Sequence, residues 1–562
     1  MKQKTLLTVL LYSILLSFTA ACSNEDKENR TDGKVDITKD IEFRLSFSDY
    51  NDEQEIDGTR AVQQEAVKKQ ETVDLGNGVL AIVTMQKDTA KTITSRKEAT
   101  RVLPNDTYTM LAYDHTTHAF KGEVTGTVTG SVFQYSGNKG IDLDPGTYDF
   151  VLFNSKVLRN GNQLTVTRAD AETALIGRTE NVNITAMPKT QKVNFTMRHA
   201  GARMRIKLTG YMPILASTAA TLTSTSATAI PASSVYDASA NTWNTMSGAA
   251  VTEQLVYPAS TEANYTSLTH TSINNKYLYF MPTTDVAKLK LTFTGGMLYK
   301  MNMSGASLVL KPTPALTMEA NHSYLVNVKL MYNYLYLMSD GTTGFFQETT
   351  YGGGEKTPIG LVFSQSRRLA MALKDASNGP LPWDGSTGWQ PTSGDNTTVF
   401  YTPTDMFNDM DGYKWTWDPN GTYDHTTIKA NSSRYPAFYA AGHYTPTLPT
   451  GVILTGSIVG KHWHLPSCGE WKLAVGALGF GDISNLNAYY IDRLIYGYLW
   501  DIAFTQVGGD VLCRYGTKRY WTSTEDGHYN IPTLEPNPTY MRMLWTSDTR
   551  VESHYIRSVI IY

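Results

Sequence analysis

Residues 41 to 48 show the clearest two-residue periodicity in this chain. Ile41, Phe43, Leu45 and Phe47 alternate with polar or charged side chains. Successive side chains of a β-strand point to opposite faces, so the alternation predicts a strand with one buried and one solvated face. The composition agrees, because 34 Tyr and 43 Gly accompany many other short alternating runs. These features favour a mainly β fold.

The first 21 residues have the pattern of a secretory signal peptide. Lys2 and Lys4 precede an apolar run over residues 6–18, and Thr19-Ala20-Ala21 stands directly before Cys22. A charged start, a short apolar run and small residues before the cut are typical of secretion. Small residues that end on a cysteine form the lipobox of bacterial lipoproteins, so we expect lipid at Cys22. The alternative is an ordinary signal peptide that contains a cysteine.

Residues 22–60 are expected to hold a lipidated tether and the first strand. The stretch after Cys22 is polar and charged, which predicts disorder, and its acidic run resembles the surface-export signals of Bacteroidetes lipoproteins. Acyl chains can hold such a protein on the outer membrane without a spanning helix. A loop without apolar pattern then leads to Arg60 and Ala61, a candidate cleavage point for a trypsin-like protease. The alternative is a solvated loop arginine.

Length and charge limit the remaining possibilities. A chain of 562 residues exceeds one hydrophobic core and suggests about three domains. Its net charge of −3 gives no reason to expect nucleic acid as a partner. After Cys22, only Cys468 and Cys513 remain, and they form either one disulfide or two buried thiols.

Strand-like runs predict two β domains, one over residues 61–190 and one over residues 191–335. Residues 79–83, 108–113 and 148–153 favour strands of the first domain. Met204, Ile206 and Leu208 alternate with basic residues near the start of the second.

Residues 336–562 differ in composition from the rest of the chain, because they hold nine of the ten Trp residues. Ser467 and Glu470 form a capping box that predicts a helix start. Trp471, Val475 and Leu478 would then share one helical face. His462 and His464 flank Trp463 and could bind a metal ion, but no third ligand is near in sequence, which favours ordinary packing.

The order of these features resembles the fimbrillins, the pilus subunits of Bacteroidales. The resemblance covers residues 1–335 and includes the runs 146–150 and 193–206. It implies two tandem transthyretin-like β-sandwich domains. It also implies that a protease cuts between Arg60 and Ala61, that the strand bearing Ile41, Phe43, Leu45 and Phe47 is removed, and that another pilus subunit adds a strand in its place.

Residues 336–562 resemble bacterial domains of the α+β C-type-lectin-like fold. The resemblance rests on the capping box, on the run 520–525 and on the final run 555–560. Glu535-Pro536-Asn537 matches the mannose-type tripeptide of calcium-dependent lectins, so Glu535 and Asn537 are weak candidates for ligand binding. The partner Trp-Asn-Asp motif is absent, which favours a turn around the prolines instead.

These features together predict an adhesive subunit at the tip of a pilus, whose ligand is a glycan or a protein on a host or bacterial surface. The resemblance implies that a stalk subunit donates an extended C-terminal segment. The chain end at Tyr562 falls inside the lectin-like domain and is not expected to be donated, which favours the tip position. The alternative is a surface glycan-binding lipoprotein that joins no pilus. The sequence shows no catalytic constellation and no cofactor motif, so we expect no enzyme.

Overall fold

The computed structural model describes fourteen stretches of the chain. These are residues 33–50, 72–87, 103–129, 131–137, 140–187, 190–246, 248–260, 269–312, 315–386, 395–488, 490–512, 518–528, 530–537 and 542–562. As the alternating patterns predict, the fold is mainly β, and its helices are concentrated beyond residue 400.

The strands fall into three groups along the chain. The first group is β1 (Val35–Asp36), β2 (Ile41–Ser48), β3 (Thr72–Asp74), β4 (Val79–Lys87), β5 (Thr107–Asp114), β6 (Phe120–Thr129), β7 (Val132–Ser136), β8 (Asp142–Leu143), β9 (Gly146–Asn154), β10 (Leu158–Asn160), β11 (Gln163–Thr167), β12 (Leu175–Ile184) and β13 (Gln191–His199). The second is β14 (Ala202–Gly210), β15 (Ala219–Ser224), β16 (Ile230–Pro231), β17 (Ser233–Asp237), β18 (Thr242–Thr245), β19 (Gly248–Ala249), β20 (Thr252–Val256), β21 (His270–Ile273), β22 (Leu278–Phe280), β23 (Leu289–Gly295), β24 (Met297–Leu298), β25 (Met301–Asn302), β26 (Ser307–Val309) and β27 (Ser323–Tyr332). The third is β28 (Leu335–Met338), β29 (Thr343–Phe345), β30 (Pro358–Ser364), β31 (Leu369–Ala372), β32 (Leu381–Pro382), β33 (Trp463–His464), β34 (Ile491–Leu494), β35 (Tyr520–Trp521), β36 (Asn530–Asn537), β37 (Arg542–Thr549), β38 (Ser553–His554) and β39 (Val559–Ile561).

The described α-helices are short. They are α1 (Ile37–Asp40), α2 (Pro403–Met406), α3 (Gly412–Trp417), α4 (Pro436–Gly442), α5 (Cys468–Leu478) and α6 (Gly497–Thr505). None of the helices in the described stretches has the length and apolar character that crossing a membrane requires.

The first unit is a closed barrel of strand order β12-β13-β2-β7-β6-β5-β9. The resemblance implies a β-sandwich for this unit, and here the strand ladder closes on itself because β2 pairs with β13 on one side and with β7 on the other. Apolar side chains from every wall fill the interior, among them Met110, Phe150 and Phe195. Such closure leaves no free sheet edge while β2 is in place.

The second unit contains two packed sheets, of order β21-β14-β27-β4-β3 and β20-β15-β23-β26. Residues 79–83, which we assigned to the first domain, lie in β4. That strand instead pairs antiparallel with β27, from Val79 opposite Tyr332 to Lys87 opposite Tyr324. The alternating pattern predicts the strand but carries no information about its partner, which lies far along the chain.

The predicted boundary at residues 190/191 is also displaced. β13 pairs with β12 and β2 and therefore belongs to the first barrel. The chain enters the second unit only at β14. A four-stranded sheet of order β10-β11-β17-β18 draws strands from both predicted domains and covers the outer face of β5 and β9 through a second apolar cluster. The two units are thus joined by shared sheet as well as by the chain.

The third unit is an α+β domain built on a six-stranded sheet of order β29-β28-β30-β31-β39-β33. The predicted helix is confirmed as α5, with Ser467 as N-cap and Glu470 completing the capping box. Trp471, Val475 and Leu478 are buried against the sheet and α6. One continuous apolar cluster runs from the second unit into the third, so no flexible linker separates them.

Candidate functional site: the first strand of the barrel

The apolar face of β2 points into the barrel. Ile41, Phe43 and Leu45 are each at most 4% exposed, and Phe47 is half-buried at the end of the strand. Phe43 contacts Phe150 edge to face with ring centroids 5.1 Å apart, and Phe195 at 6.2 Å. Burying side chains of this size contributes roughly 1.5–3 kcal/mol each. The predicted strand is therefore confirmed, and its apolar side chains fill part of the barrel interior. We call this strand the barrel plug.

The two sheet contacts of β2 are unequal. On one side it runs parallel to β13 over eight residue pairs, from Ile41 opposite Gln191 to Ser48 opposite Arg198. On the other side, among the described residues, its ladder with β7 is a single pair, Arg44 opposite Val132, supplemented by Leu45 N–H donating to Ser131 O at 2.7 Å. Among the described residues, the closure of the barrel between β2 and β7 therefore depends on very few backbone contacts.

Neither neighbour of β2 is close to it in sequence. A parallel pair has no tight turn between its strands, so the register of β2 against β13 does not depend on a local chain connection. It depends on the alternate side chains and on the backbone hydrogen bonds. A strand from another molecule could supply both.

The segment that fills the barrel is longer than the predicted strand. β1 pairs with β8, and Val35 and Ile37 are buried in the same core as β2. Asp36 caps α1 by accepting from Thr38 N–H at 3.0 Å, and Ile37 N–H donates to Ile141 O. Sequence reasoning missed this part because two apolar residues in a polar stretch set no period.

The residues predicted for anchoring and processing cannot be placed. Cys22, Arg60 and Ala61 all lie outside the described residues. The structure does describe both sides of the predicted cut, since β2 ends at Ser48 in the barrel and β3 begins at Thr72 in the second unit. A cut after Arg60 would therefore separate the barrel plug from a chain that continues in another sheet.

The Glu535-Pro536-Asn537 tripeptide lies in β36, where it pairs with residues 542–544 of β37, and not in the turn that we favoured. The carboxylate of Glu535 accepts from Arg519 Nε at 3.1 Å. The side chain of Asn537 lies outside the part of the chain that the structure describes. A strand position and an arginine partner both disfavour a calcium site at Glu535.

A second acidic group lies on the neighbouring strand. Asp548, Glu552 and His554 bring ligand atoms within 4.8 Å of one another. Arg519 Nη1 already donates to Asp548 at 2.9 Å, and His554 Nε2 lies 3.1 Å from the same carboxylate. Burial raises the pKa of Asp548, but the hydrogen bonds from His554 and Arg519 outweigh it and lower the pKa to about 2. The group is an ion-pair cluster that needs no added cation.

The interior of the third unit holds a polar cluster around α5. His464 is buried and its Nε2 lies 3.0 Å from Glu470, whereas His462 is exposed beside Trp417, so the two histidines form no metal pair. Asp409 accepts from Thr524 Oγ1 at 2.6 Å and from Trp415 Nε1. Burial raises the pKa of Asp409 to about 6 despite these bonds. The cluster fixes α5 against the loop before α3.

Cys468 opens α5. In the described part of the chain it is a buried free thiol, and burial raises its pKa well above the usual range. A thiol with a raised pKa is a poor nucleophile, which argues against cysteine chemistry there. Cys513 lies outside the described residues, so the pairing of Cys468 with Cys513 stays a prediction.

A cleft of about 460 Å³ lies outside the barrel, between β12, β13 and the β17–β18 hairpin. Trp243 and Tyr236 form one wall with ring centroids 5.2 Å apart, and Arg178 and Arg198 contribute to the other. His199 and Asn321 lie at its end, where the barrel meets the second unit.

Comparison with known proteins gives similarity to solved structures. No family model and no curated protein sequence matches the chain. Similar solved structures include a fimbrial protein from Bacteroides vulgatus, 13% identical, with a TM-score of 0.26, covering 43% of this chain and 91% of that one. Another is the tip fimbrial protein Mfa3 from Porphyromonas gingivalis with C-terminal truncation, 12% identical, with a TM-score of 0.24, covering 40% and 92%. A third is a fimbrial protein from Bacteroides ovatus, 10% identical, with a TM-score of 0.20, covering 93% and 100%. At these values the likeness alone carries no argument about what this chain does.

Proposed function

We propose that this chain is a structural and adhesive subunit of a cell-surface pilus. Its first barrel accepts a strand from a neighbouring subunit after its own β2 has been removed by a cut between Arg60 and Ala61. The observation that carries the proposal is the position of β2, which fills the barrel with an alternating apolar face yet is joined to β7 by a single described residue pair. Removing it would expose an apolar groove with two unpaired edges, which a donated strand satisfies.

The sheet pattern supports removal of β2 without loss of the rest of the molecule. β3 and β4, which follow the proposed cut, lie in the second unit and hold the new amino-terminal region there. The barrel core retains the side chains of the six remaining strands. Cut molecules would therefore keep their other contacts while offering a vacant groove.

The third unit is proposed as the adhesive domain, with a C-type-lectin-like fold, at the tip of the pilus. β39 lies between β31 and β33 inside its own sheet. Residues 559–561 cannot be donated to another subunit without breaking that sheet. The ligand is a glycan or a protein of a host or bacterial surface, and the precursor is proposed to reach the outer membrane with lipid on Cys22.

The test is the mass and amino-terminal sequence of the protein in purified fibres from its own cells. We expect chains that begin at Ala61 and lack residues 22–60. An Arg60→Ala variant should keep residues 22–60 and stay out of fibres, while the exposed Arg367→Ala serves as control and should assemble normally. Fibres whose subunits retain residues 22–60 would rule out strand exchange. An uncut protein that is never found in fibres would instead favour a surface glycan-binding lipoprotein.

Immunogold labelling of the third unit tests the position within the fibre. Label at fibre ends is expected. Label spread along the shaft would contradict the tip assignment while leaving strand acceptance intact.

A further inference from the structure

The segment in the barrel does not stop interacting where β2 ends. Two residues further on, the side chain of Tyr50 is 6% exposed and lies between the first and second units. Its ring stacks on His199 with centroids 3.9 Å apart and planes inclined by 7°. We call the side chains around this ring the Tyr50 seat, formed by His199, Arg203 and Tyr279 together with the backbone of Ala171.

The Tyr50 seat holds the ring from several directions. The guanidinium of Arg203 lies over the ring at 4.5 Å, and Tyr279 packs beside it with centroids 6.2 Å apart. The hydroxyl donates to Ala171 O at 3.4 Å. Aromatic stacking and a cation over the ring each add to simple burial. The seat is therefore specific for an aromatic side chain and not merely apolar.

Asp49 fixes the backbone that carries Tyr50. Its carboxylate lies 3.4 Å from His199 Nε2, and its carbonyl oxygen accepts from Asn321 Nδ2 at 3.2 Å. His199 N–H donates to the side-chain oxygen of Asn321 at 3.0 Å. One histidine thus contacts Asp49, Tyr50 and, at 5.2 Å between rings, Phe47 of the strand itself.

The seat is assembled from both units. His199 is the last residue of β13, which pairs with β2, whereas Arg203 lies in β14 and Tyr279 in β22 of the second unit. The distance along the chain from the barrel strand to the seat is therefore fixed. A strand shifted by one residue would turn its apolar side chains out of the barrel and miss the seat as well.

We infer that the Tyr50 seat selects the donated strand and sets its register. The partner is an extended segment of another subunit that carries apolar residues at alternate positions and an aromatic residue three positions after the last of them, preceded by a carboxylate. This inference rests on the proposed strand exchange. It adds that the apolar groove left by β2 is not the whole binding site for the partner. The segment that now fills the barrel also binds outside it, through Tyr50 in the seat.

The test uses the full chain with a site-specific protease sequence inserted between residues 51 and 60, so that cutting does not depend on natural processing. After the cut, fluorescent synthetic peptides of residues 33–50 compete for the barrel, and their binding is followed by anisotropy. The Tyr50→Ala peptide should bind about tenfold more weakly than the unchanged peptide, since it loses stacking and the cation contact together. The Tyr50→Phe peptide should bind nearly as well as the unchanged one.

Two further peptides and one protein variant sharpen the result. Glu42→Ala is the matched control, because the Glu42 carboxylate pairs with Arg44 on the same strand, and this peptide should bind normally. A glycine inserted after Ser48 should weaken binding as much as Tyr50→Ala. In protein carrying His199→Ala, the difference between the unchanged and Tyr50→Ala peptides should shrink to less than threefold.

The outcomes separate the two proposals. Equal binding of the unchanged and Tyr50→Ala peptides would overturn the seat and leave strand exchange standing. Failure of every peptide to bind a cut, folded barrel would overturn strand exchange itself, and with it this inference.

Discussion

The first barrel and the third unit hold their end strands by different means. β2 enters the barrel with apolar side chains and has a full partner on one side only. β39 lies between β31 and β33, and the residue two before it, Arg557, is fully buried with its Nη2 2.9 Å from Asp375. An apolar alternating face can be reproduced by another strand, whereas a buried charge needs one particular partner. The difference is consistent with the proposed exchange, in which β2 can be replaced and β39 cannot.

Removing the Phe43 side chain of β2 should have the largest effect on stability. Phe43→Ala is expected to destabilise the barrel of the uncut protein by about 3–5 kcal/mol, because it leaves a cavity beside Phe150 and Phe195. Hydrogen exchange of the barrel amides measures this, and protection in the third unit should not change. The exposed Arg44→Ala on the same strand is the control, with an expected change below about 0.5 kcal/mol. If the third unit loosens equally, the two regions are not independent.

Removing the buried charge of Arg557 tests how strongly β39 is held in the third unit. Arg557→Met should destabilise the third unit by about 3 kcal/mol, since Asp375 then loses one of its cationic partners in the interior. Nine of the ten Trp residues lie in this unit, so tryptophan fluorescence during urea unfolding reports on it. Arg367→Met, the same substitution at an exposed site, should leave the midpoint in place. The loss should be the same before and after removal of residues 22–60, unlike that of Phe43→Ala.

The polar interior should also make the third unit sensitive to pH. The pKa of Asp409 is raised from 3.8 to about 6 in the folded state, so the folded form binds its proton more tightly than the unfolded form. The stability that this gives is present below about pH 4 and is lost as pH rises through about 6, a change of about 3 kcal/mol. Asp409→Asn should flatten the fluorescence midpoint over this range, and the exposed Asp411→Asn should not. A flat profile in the unaltered protein would contradict the assignment.

The smallest effect is expected at the helix cap. Ser467→Ala removes the side chain that accepts from Glu470 N–H and donates to Asp409 O, at a cost of about 1 kcal/mol. The shift in the fluorescence midpoint should be accompanied by faster exchange in the first turn of α5. Ser366→Ala, on an exposed turn, should shift neither.

The sequence predicts what depends on local pattern. The alternation of Ile41 to Phe47 and the pairing of Ser467 with Glu470 each lie within a few residues, and both elements are present as expected. Pairing between distant segments leaves no local mark, which is why β4 and β13 were assigned to the wrong units. The Tyr50 seat was missed for the same reason, since His199, Arg203 and Tyr279 meet only in the folded chain. Tyr50 itself, an aromatic residue just after the alternating run, was the one available signal.

The continuous core between the second and third units has a mechanical consequence. The Tyr498 hydroxyl of the third unit donates to Tyr211 O of the second, and the Tyr334 hydroxyl, between the two units, donates to Leu478 O. Tension applied to a bound third unit therefore meets no hinge there. The load passes undiminished towards the first barrel, whose donated strand would be attached by hydrogen bonds and packing alone. If the chain adheres under flow, the contact that limits the force it can withstand is the donated strand in the first barrel. That contact lies at the opposite end of the molecule from the proposed adhesive unit.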